Sequence, residues 1–218
     1  MSGFVIAIDG PAASGKGAIA HALAESYGLP VLDTGLLYRA VGLSVTRAGE
    51  DPDDAAIAVS HARALDLGRL ADPALRSLEA GDAASRVAVH PAVREVLRAA
   101  QRAFAARPGG AIVDGRDIGT VIVPDAPAKL FITATLEARA ERRWLQLKAT
   151  DRAATRDAVV ADIVRRDAVD SGRADSPMRP AADAVLLDTT EMTIEAAADA
   201  ARRIVEAARA RWDASRTG

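Results

Sequence analysis

Short apolar runs without alternating polar residues recur along the chain, and amphipathic segments lie between them. The runs occupy residues 4–8, 30–32, 111–113, 130–132 and 185–187. Continuous runs of this length are typical of strands buried on both faces of a parallel sheet. In the last amphipathic segment, the apolar residues from Ile194 to Trp212 share one helical face. The alternation predicts an α/β fold: a doubly wound, five-stranded parallel sheet with helices on both faces and ligands at the carboxyl ends of the strands.

Two regions interrupt this alternation. Residues from about 49 to 90 have a helical but polar pattern, and residues from about 148 to 180 are rich in Arg and Asp. The length of 218 residues suits one α/β domain with a small insert, since a domain has roughly 150 residues. We therefore interpret residues 1–218 as a single domain, with both regions as excursions from its core.

The composition narrows the class of protein. Half of the residues are hydrophobic but only 3% are aromatic, so the core must be aliphatic. The net charge of −2 argues against a nucleic-acid or anionic-membrane binder, and the absence of cysteine excludes thiolate metal sites. No apolar stretch approaches the roughly 20 residues that span a bilayer, and the first residues lack a leader pattern. We therefore expect a cytoplasmic protein that contacts neither membranes nor nucleic acid.

The most informative motif joins the first predicted strand to the first predicted helix. It has the pattern G-x-x-x-x-G-K, in which Gly10 and Gly15 let successive backbone N–H groups point into one concavity. The helix N-terminus adds its own N–H groups, and Lys16 can reach the β- and γ-phosphates of a nucleotide. Only three of the 28 basic residues are lysines, so a lysine at this position indicates a specific requirement. The chain is therefore predicted to bind a nucleoside triphosphate.

The residue after Lys16 narrows the prediction further. Most such loops continue with Ser or Thr, whose hydroxyl binds Mg²⁺, whereas this chain has Gly17. A G-K-G loop resembles that of the nucleoside monophosphate kinases, in which the metal is held largely through water. The chain contains no asparagine, which excludes the Asn-Lys-x-Asp motif of the guanine-binding switch GTPases.

Polar groups also follow later predicted strands. Asp33 and Thr34 come after the second run, with Arg39 turned away from the apolar face of the next helix, and DGRDIGT at 114–120 follows the third run. A further segment at 165–178 is dense in Arg and Asp. Alone, an Asp-Gly pair predicts an ordinary turn, and the charged segment predicts a solvated helix and loop. In a chain that already has a phosphate loop, their positions favour a functional role.

Together these segments closely resemble the bacterial-type cytidylate kinase family. The resemblance is carried by IAIDGPAASGKG, LDTGLLYRA, AASRVAVHPAVRE, VDGRDIGTVIVPDA, ERRWLQL, RRDAVDSGRADSP and DAVLLDTT. They occur in the family's order and span nearly the whole chain. The resemblance implies phosphoryl transfer from ATP to CMP or dCMP by a monomeric enzyme that uses Mg²⁺. It also implies that residues about 49–90 are an acceptor-side insert, and residues about 148–180 a lid and substrate-contacting segment.

The family pattern, carried over position by position, implies a role for each matching residue. The ATP phosphates are bound by Gly10, Pro11, Ala12, Ala13, Ser14, Gly15, Lys16, Gly17 and Ala18. The cytosine ring is held by Ser85, Arg94 and Asp117, and the acceptor phosphate by Arg39, Arg116 and Arg173. The pentose hydroxyls meet Asp170 and Arg166, and Thr34 is a further substrate-binding candidate. The expected catalytic residues are Lys16, Arg116 and Arg173, while Asp114, with Asp33 as a second carboxylate, is expected to hold Mg²⁺ through water.

The chain departs from the family in two places. Ala18 stands where a Thr is usual, which predicts a tuned ATP site, and residues 65–74 are too few for the strand-rich part of the family's insert. Two other functions stay open from the residues. One is another small-acceptor kinase, acting on UMP, dTMP, AMP or an alcohol such as shikimate. The other is a nucleotide-binding module without catalysis, which would not need several arginines for an acceptor phosphate.

Overall fold

The computed structural model describes residues 3–148 and 154–217. By its contacts the chain divides into two compact units: Met1–Val31 with Ala105–Gly218, which we term the sheet unit, and Leu32–Phe104, which we term the helical unit. Residues 149–153, inside the predicted lid segment, lie outside the described residues.

The strands confirm the parallel α/β fold. They are β1 (Val5–Asp9), β2 (Val31–Asp33), β3 (Ala111–Gly115), β4 (Ala128–Thr133) and β5 (Val185–Asp188). They form one sheet in the order β2-β3-β1-β4-β5, so the first strand of the sequence is the central one. In the parallel register, Ile6 lies opposite both Ile112 of β3 and Ala128 of β4. All five apolar runs of the sequence are therefore strands.

The prediction that every strand is buried on both faces is wrong for β5. This strand lies at the edge of the sheet, and its Leu186 is 63% exposed whereas Leu187 is buried. Ile194, which belongs to the apolar face that the sequence predicts for the last helix, is also exposed. An apolar run reports composition alone, and it does not show whether its strand will lie in the centre or at the edge of the sheet.

The helices lie between and after the strands. In chain order they are α1 (Lys16–Tyr27), α2 (Thr34–Arg47), α3 (Ala55–Arg63), α4 (Leu78–Val87), α5 (Pro91–Ala105), α6 (Leu136–Lys148), α7 (Arg156–Gly172) and α8 (Ile194–Thr217). Helices α1 and α8 pack on the sheet through aliphatic side chains such as Ile19, Leu23 and Val205. Among the helices of the described residues, none combines the length and apolar character that a membrane span needs.

Two further helices of the sheet unit, α6 and α7, pack against each other. Their contact is a small apolar cluster that includes Ala140, Leu147, Val159 and Ile163. Trp144 of α6 donates from Nε1 to the carbonyl oxygen of Ala154 at 3.1 Å, just before α7 begins. These contacts hold α6, which ends where the predicted lid segment begins, against α7, which lies within that segment.

The helical unit is built around the close contact of α2 with α4. A Cβ on Gly42 would lie 2.6 Å from the backbone of Ala83, so glycine permits this approach. Asp33 caps α2 and Ser77 caps α4 through their side-chain oxygens. Helix α3 and two short 3₁₀ turns lie between α2 and α4 along the chain. The predicted limits of the insert, residues about 49–90, stay a prediction.

Candidate active site

The phosphate loop, residues 10–15, turns sharply between β1 and α1. Gly10 has φ 143°, and a Cβ there would lie 2.0 Å from the carbonyl oxygen of Ile132, so only glycine fits. Gly15 has φ 93°, and Ala13 has φ 60° although it carries a Cβ. A left-handed backbone costs an alanine roughly 1–2 kcal/mol, so the loop depends on contacts from outside it.

Side chains from two other elements hold carbonyl groups of this loop. Arg139 of α6 donates from Nη1 to the carbonyl oxygen of Ala12 at 3.2 Å, and Thr189, just after β5, donates to that of Ser14 at 3.0 Å. Arg142 in turn donates to the Thr189 hydroxyl at 3.0 Å. Sequence reasoning assigned no role to Arg139, Arg142 or Thr189. Arg142 and Thr189 do lie in two of the segments that carry the family resemblance, ERRWLQL and DAVLLDTT, whereas Arg139 lies outside all of them.

Lys16 and Asp114 lie together beside the loop, and both are buried. Lys16 Nζ is 3.9 Å from Asp114 Oδ1 and donates to the carbonyl oxygen of Pro11 at 2.9 Å. A Cβ on Gly17 would lie 3.9 Å from Asp114 Oδ2, so the residue after the lysine adjoins the carboxylate. The structure thus brings together the predicted phosphate-binding lysine and the principal predicted metal-binding carboxylate.

Asp9, the last residue of β1, is a buried carboxylate that sequence reasoning also missed. Its two oxygens accept hydrogen bonds from the backbone N–H groups of Ile118 and Gly119, each at 2.7 Å. These residues begin a single π-helical turn, Ile118–Ile122, so Asp9 fixes the start of that turn. The sequence does contain a sign of its role, because Asp9 follows an apolar run directly, as Asp33 and Asp114 also do.

Burial controls the ionisation of Asp9. It raises the pKa of this carboxyl to about 6, although the two backbone hydrogen bonds lower it. The charge of Asp117 adds to the rise, and the charge of Lys16 opposes it. Burial therefore raises the free energy of ionising Asp9, while two backbone hydrogen bonds stabilise the carboxylate once it has formed.

Arg116 and Asp117 immediately precede the π-helical turn. Asp117 is its N-cap residue, yet within the described part of the chain its side chain makes no capping hydrogen bond to the turn. The alternative to a substrate-binding role is that Asp117 merely pairs with Arg116 or caps the following turn. The capping bond is not made in the described residues, and the substrate-binding role of Asp117 stays a prediction. Both side chains are half-buried.

Asp170 of α7 is the centre of an arginine cluster. Its Oδ2 accepts from Arg116 Nε at 2.8 Å, and its Oδ1 lies 2.6 Å from Arg173 Nη2. Burial raises the pKa of Asp170, but the charges of Arg116 and Arg173 outweigh it and lower that pKa overall. Burial, helped by repulsion from Arg116, lowers the pKa of Arg166. Two guanidinium groups contact this carboxylate, and the charge of a third, on Arg166, also acts on it. The excess of positive charge favours binding of an anion such as a phosphate.

In the helical unit, Arg39 of α2 lies along backbone carbonyl groups. Its Nη1 donates to the carbonyl oxygens of Leu75 at 2.9 Å and Ser77 at 3.1 Å. A Cβ on Gly81 would lie 3.4 Å from the Arg39 guanidinium, so glycine leaves room for it. The structure therefore orients this arginine by main-chain contacts at the start of α4.

The other predicted residues of the helical unit also contact backbone. Arg94 is buried and donates from Nη1 to the carbonyl oxygen of Ala88 at 2.7 Å, and Ser85 donates to that of Gly81 at 3.1 Å. Asp33 accepts from the N–H two residues later at 2.9 Å, and Thr34 is buried as the first residue of α2. In the described ranges no three His, Cys, Asp or Glu side chains are grouped to hold a metal ion by themselves.

Known proteins resemble this chain over nearly its whole length. A sequence model of the family described as cytidylate kinase matches residues 6–208. A cytidylate kinase of Caulobacter sp. (strain K31) is 60% identical over 209 residues, which cover 96% of this chain and 97% of that protein. A cytidylate kinase of Rhizobium meliloti (strain 1021) is 53% identical over 205 residues, which cover 94% of this chain and 97% of that protein.

Among solved structures, an uncharacterized protein from Eubacterium ventriosum ATCC 27560 is similar with a TM-score of 0.55 and 13% identity. The match covers 93% of this chain and 98% of that one, and it supports the fold alone. The family model and the two relatives extend over nearly all of the sequence, and on these matches the chain belongs to the cytidylate kinase family.

Proposed function

We propose that this protein transfers the γ-phosphoryl group of ATP to CMP and dCMP, giving ADP with CDP or dCDP. The observation that carries the proposal is the presence, in the sheet unit, of a phosphate loop with a buried Lys16 and of an arginine cluster around Asp170. The loop suits a triphosphate and the cluster suits the phosphate of an acceptor. Membership of the cytidylate kinase family supplies the cytosine nucleotide as that acceptor.

Phosphoryl transfer of this kind requires positioning and charge neutralisation more than covalent help from the protein. The bond from the γ-phosphorus to the β–γ bridging oxygen breaks as a bond to an oxygen of the acceptor phosphate forms. Lys16 neutralises charge on the transferring group, and Arg116 and Arg173 hold the acceptor phosphate. The attacking oxygen is already anionic, so no residue has to act as a general base.

The ATP phosphates are assigned to the backbone N–H groups of the loop and of the first turn of α1. The positive φ angles of Gly10, Ala13 and Gly15 support a concave loop, which is the shape that such a cradle needs. Ala18 lacks a hydroxyl but keeps its N–H group, so we expect that ATP binding is altered but not abolished.

The acceptor nucleoside is assigned by the chemistry of its groups. The N4 amino group of cytosine is a donor, for which the carboxylate of Asp117 is a suitable acceptor. Asp170, with Arg166, is assigned to the pentose hydroxyls. The roles of Thr34, Arg39, Ser85 and Arg94 in the helical unit follow from the family pattern and stay predictions.

Mg²⁺ fits the residues beside the loop. Mg²⁺ usually keeps several waters and is held by one or two carboxylates together with substrate phosphates. Asp114 is a buried carboxylate next to Lys16, and the adjoining Gly17 offers no hydroxyl that could replace a water. Asp114 would hold the ion through water, and Asp33 as a second carboxylate stays a prediction. When bound, the ion would neutralise charge on the ATP phosphates.

We further propose that residues about 148–180 act as a lid within a single kinase domain. Closure would exclude water and bring arginines to the phosphates only when both nucleotides are bound. Hydrogen exchange of α7 with and without a bisubstrate analogue measures this. Greater protection with the analogue is expected, and equal protection in both states would contradict a lid.

The proposed working form is a monomer in the cytoplasm, with nucleotides as its partners and no nucleic acid or membrane. One chain supplies both the phosphate loop and the arginine cluster, and the net charge of −2 gives no attraction to polyanions. Light scattering during size-exclusion chromatography at assay concentrations measures the oligomeric state.

A coupled ADP-release assay tests the activity directly. CMP, dCMP, UMP, dTMP and AMP are compared as acceptors at fixed ATP and Mg²⁺, with an acceptor-free reaction to correct for hydrolysis. The proposal expects the highest kcat/KM for CMP and dCMP. A higher value for UMP, dTMP or AMP, or ADP release that no acceptor stimulates, would overturn it.

A further inference from the structure

Arg139 of α6 is a buried arginine with three polar contacts in the sheet unit. Its Nε donates to the carbonyl oxygen of Ala134 at 3.1 Å, and its Nη1 donates to that of Ala12 at 3.2 Å. The same Nη1 lies 2.6 Å from Oδ2 of Asp167 on α7. One guanidinium therefore joins the phosphate loop, the end of β4 and helix α7.

The contact with Ala12 controls the direction of a loop peptide. The C=O and N–H groups of a trans peptide point in opposite directions. When Arg139 holds the carbonyl of Ala12, the N–H of Ala13 points the other way, as a phosphate cradle requires. Ala13 has φ 60°, a conformation from which an alanine tends to relax, so this peptide needs an external restraint.

Asp167 keeps Arg139 in this position. Its Oδ2 balances the buried guanidinium charge, while its Oδ1 is buried and has no hydrogen-bond partner among the described residues. Without the carboxylate, Arg139 would be a buried cation whose acceptors in the described residues are the two carbonyl groups, and a more solvated rotamer would become favourable. Asp170, one turn later on α7, holds Arg116 and Arg173, so the same helix contacts both parts of the proposed site.

We infer that Asp167 is a positioning residue for the phosphate loop: through Arg139 it fixes the Ala12 peptide and so ties ATP binding to the placement of α7. The inference rests on the proposed function in taking ATP as the ligand of the loop. Neither residue is required to touch a nucleotide for this effect.

Calorimetric titration with ATP and Mg²⁺, without acceptor, tests the inference together with steady-state kinetics. Asp167→Asn removes the charge and should raise the Kd for ATP about tenfold, while the KM for CMP changes by less than about threefold. Asp167→Glu keeps the charge and should recover part of the affinity. Asp157→Asn removes an exposed carboxylate from the first turn of α7 and serves as the matched control, with an unchanged Kd.

A double-mutant cycle identifies the route of the effect. Arg139→Met should weaken ATP binding to a similar degree, and Asp167→Asn should add nothing in that background. An unchanged Kd in Asp167→Asn, or a full additional loss in the Arg139→Met background, would overturn the inference. So would tighter ATP binding in Asp167→Asn, since it would mean that Asp167 withholds Arg139 from ATP. ATP binding is measured without CMP, so the Kd values can still be interpreted if the acceptor assay fails. If the wild type is active on CMP and Asp167→Asn has an unchanged Kd for ATP, the inference is refuted while the proposed function stands.

Discussion

Replacement of Asp9 by asparagine should change how the stability of the protein depends on pH. Both carboxylate oxygens of Asp9 accept hydrogen bonds from backbone N–H groups, and the residue is 3% exposed. Asparagine cannot accept on both sides, because its amide nitrogen would face one of the two N–H donors. The variant therefore loses one charge-assisted hydrogen bond but also loses the cost of ionising a buried carboxyl.

The second effect has a definite sign and size. Burial raises the pKa of Asp9 from 3.8 to about 6, which corresponds to about 3 kcal/mol. Below about pH 3.8 both the folded and the unfolded chain hold the proton. As the pH rises towards about 6 the unfolded chain releases the proton first, so the contribution of this group to the free energy of unfolding falls. Between about pH 5 and about pH 7 this contribution to the free energy of unfolding falls by about 1 kcal/mol. Asp9→Asn has no carboxyl at this position and should not show this decrease.

Urea unfolding at these two pH values measures the difference. Trp144 and Trp212 are the two tryptophans of the chain, and both lie in the sheet unit with Asp9, so tryptophan fluorescence reports on that unit. The stability of the wild type relative to Asp9→Asn should be about 1 kcal/mol greater at the lower pH. Asp199→Asn on α8 controls for the loss of one exposed carboxylate. If the wild type and Asp9→Asn keep the same difference at both pH values, burial does not control this carboxyl and the reasoning is refuted.

Three other substitutions test the proposed chemistry. Lys16→Ala should lower kcat by about 10²-fold or more, because a charge contact with the transferring group contributes about 3–4 kcal/mol; near-normal turnover in a variant with an unchanged circular dichroism spectrum would contradict it. Asp114→Asn should raise the Mg²⁺ concentration that gives half the maximal rate, and an unchanged Mg²⁺ titration would leave Asp114 a structural role. Asp117→Ala should lower the ratio of kcat/KM for CMP to that for UMP by about tenfold, because O4 of uracil offers this carboxylate no hydrogen-bond donor. An equal loss of kcat/KM for both acceptors would contradict the assignment of Asp117 to the cytosine N4 group.

The sequence predicted the strands and the phosphate loop because each is a local pattern. All five apolar runs are strands, and the glycines at 10 and 15 have the positive φ angles that the motif requires. The exposure of β5 was not predictable in the same way, because its position at the sheet edge depends on which strands pair. The left-handed Ala13 was also unexpected, since the alanine side chain gives no sign of it.

The residues that support the site were harder to find. Arg139 is 127 residues from Ala12, and Asp9 is 109 residues from Ile118, so their contacts exist only after the fold is complete. Arg139 is one of many arginines in an Arg-rich chain, and no spacing marks it. Asp9 at least ends a strand. Sequence patterns therefore reveal groups that would touch a nucleotide more readily than groups that hold those groups in place.

The hydrogen bond from Thr189 to the carbonyl of Ser14 has a consequence for the order of folding. The two residues are 175 positions apart, and a ribosome that adds roughly 5–20 residues per second needs roughly 10–35 s to travel from one to the other. During that interval the phosphate loop has emerged but lacks its restraint beside β5. The central strand β1 likewise has to wait for β3 and β4, and such distant pairing slows folding. If this loop binds ATP as proposed, ATP can stabilise the fully restrained loop only after Thr189 has been made.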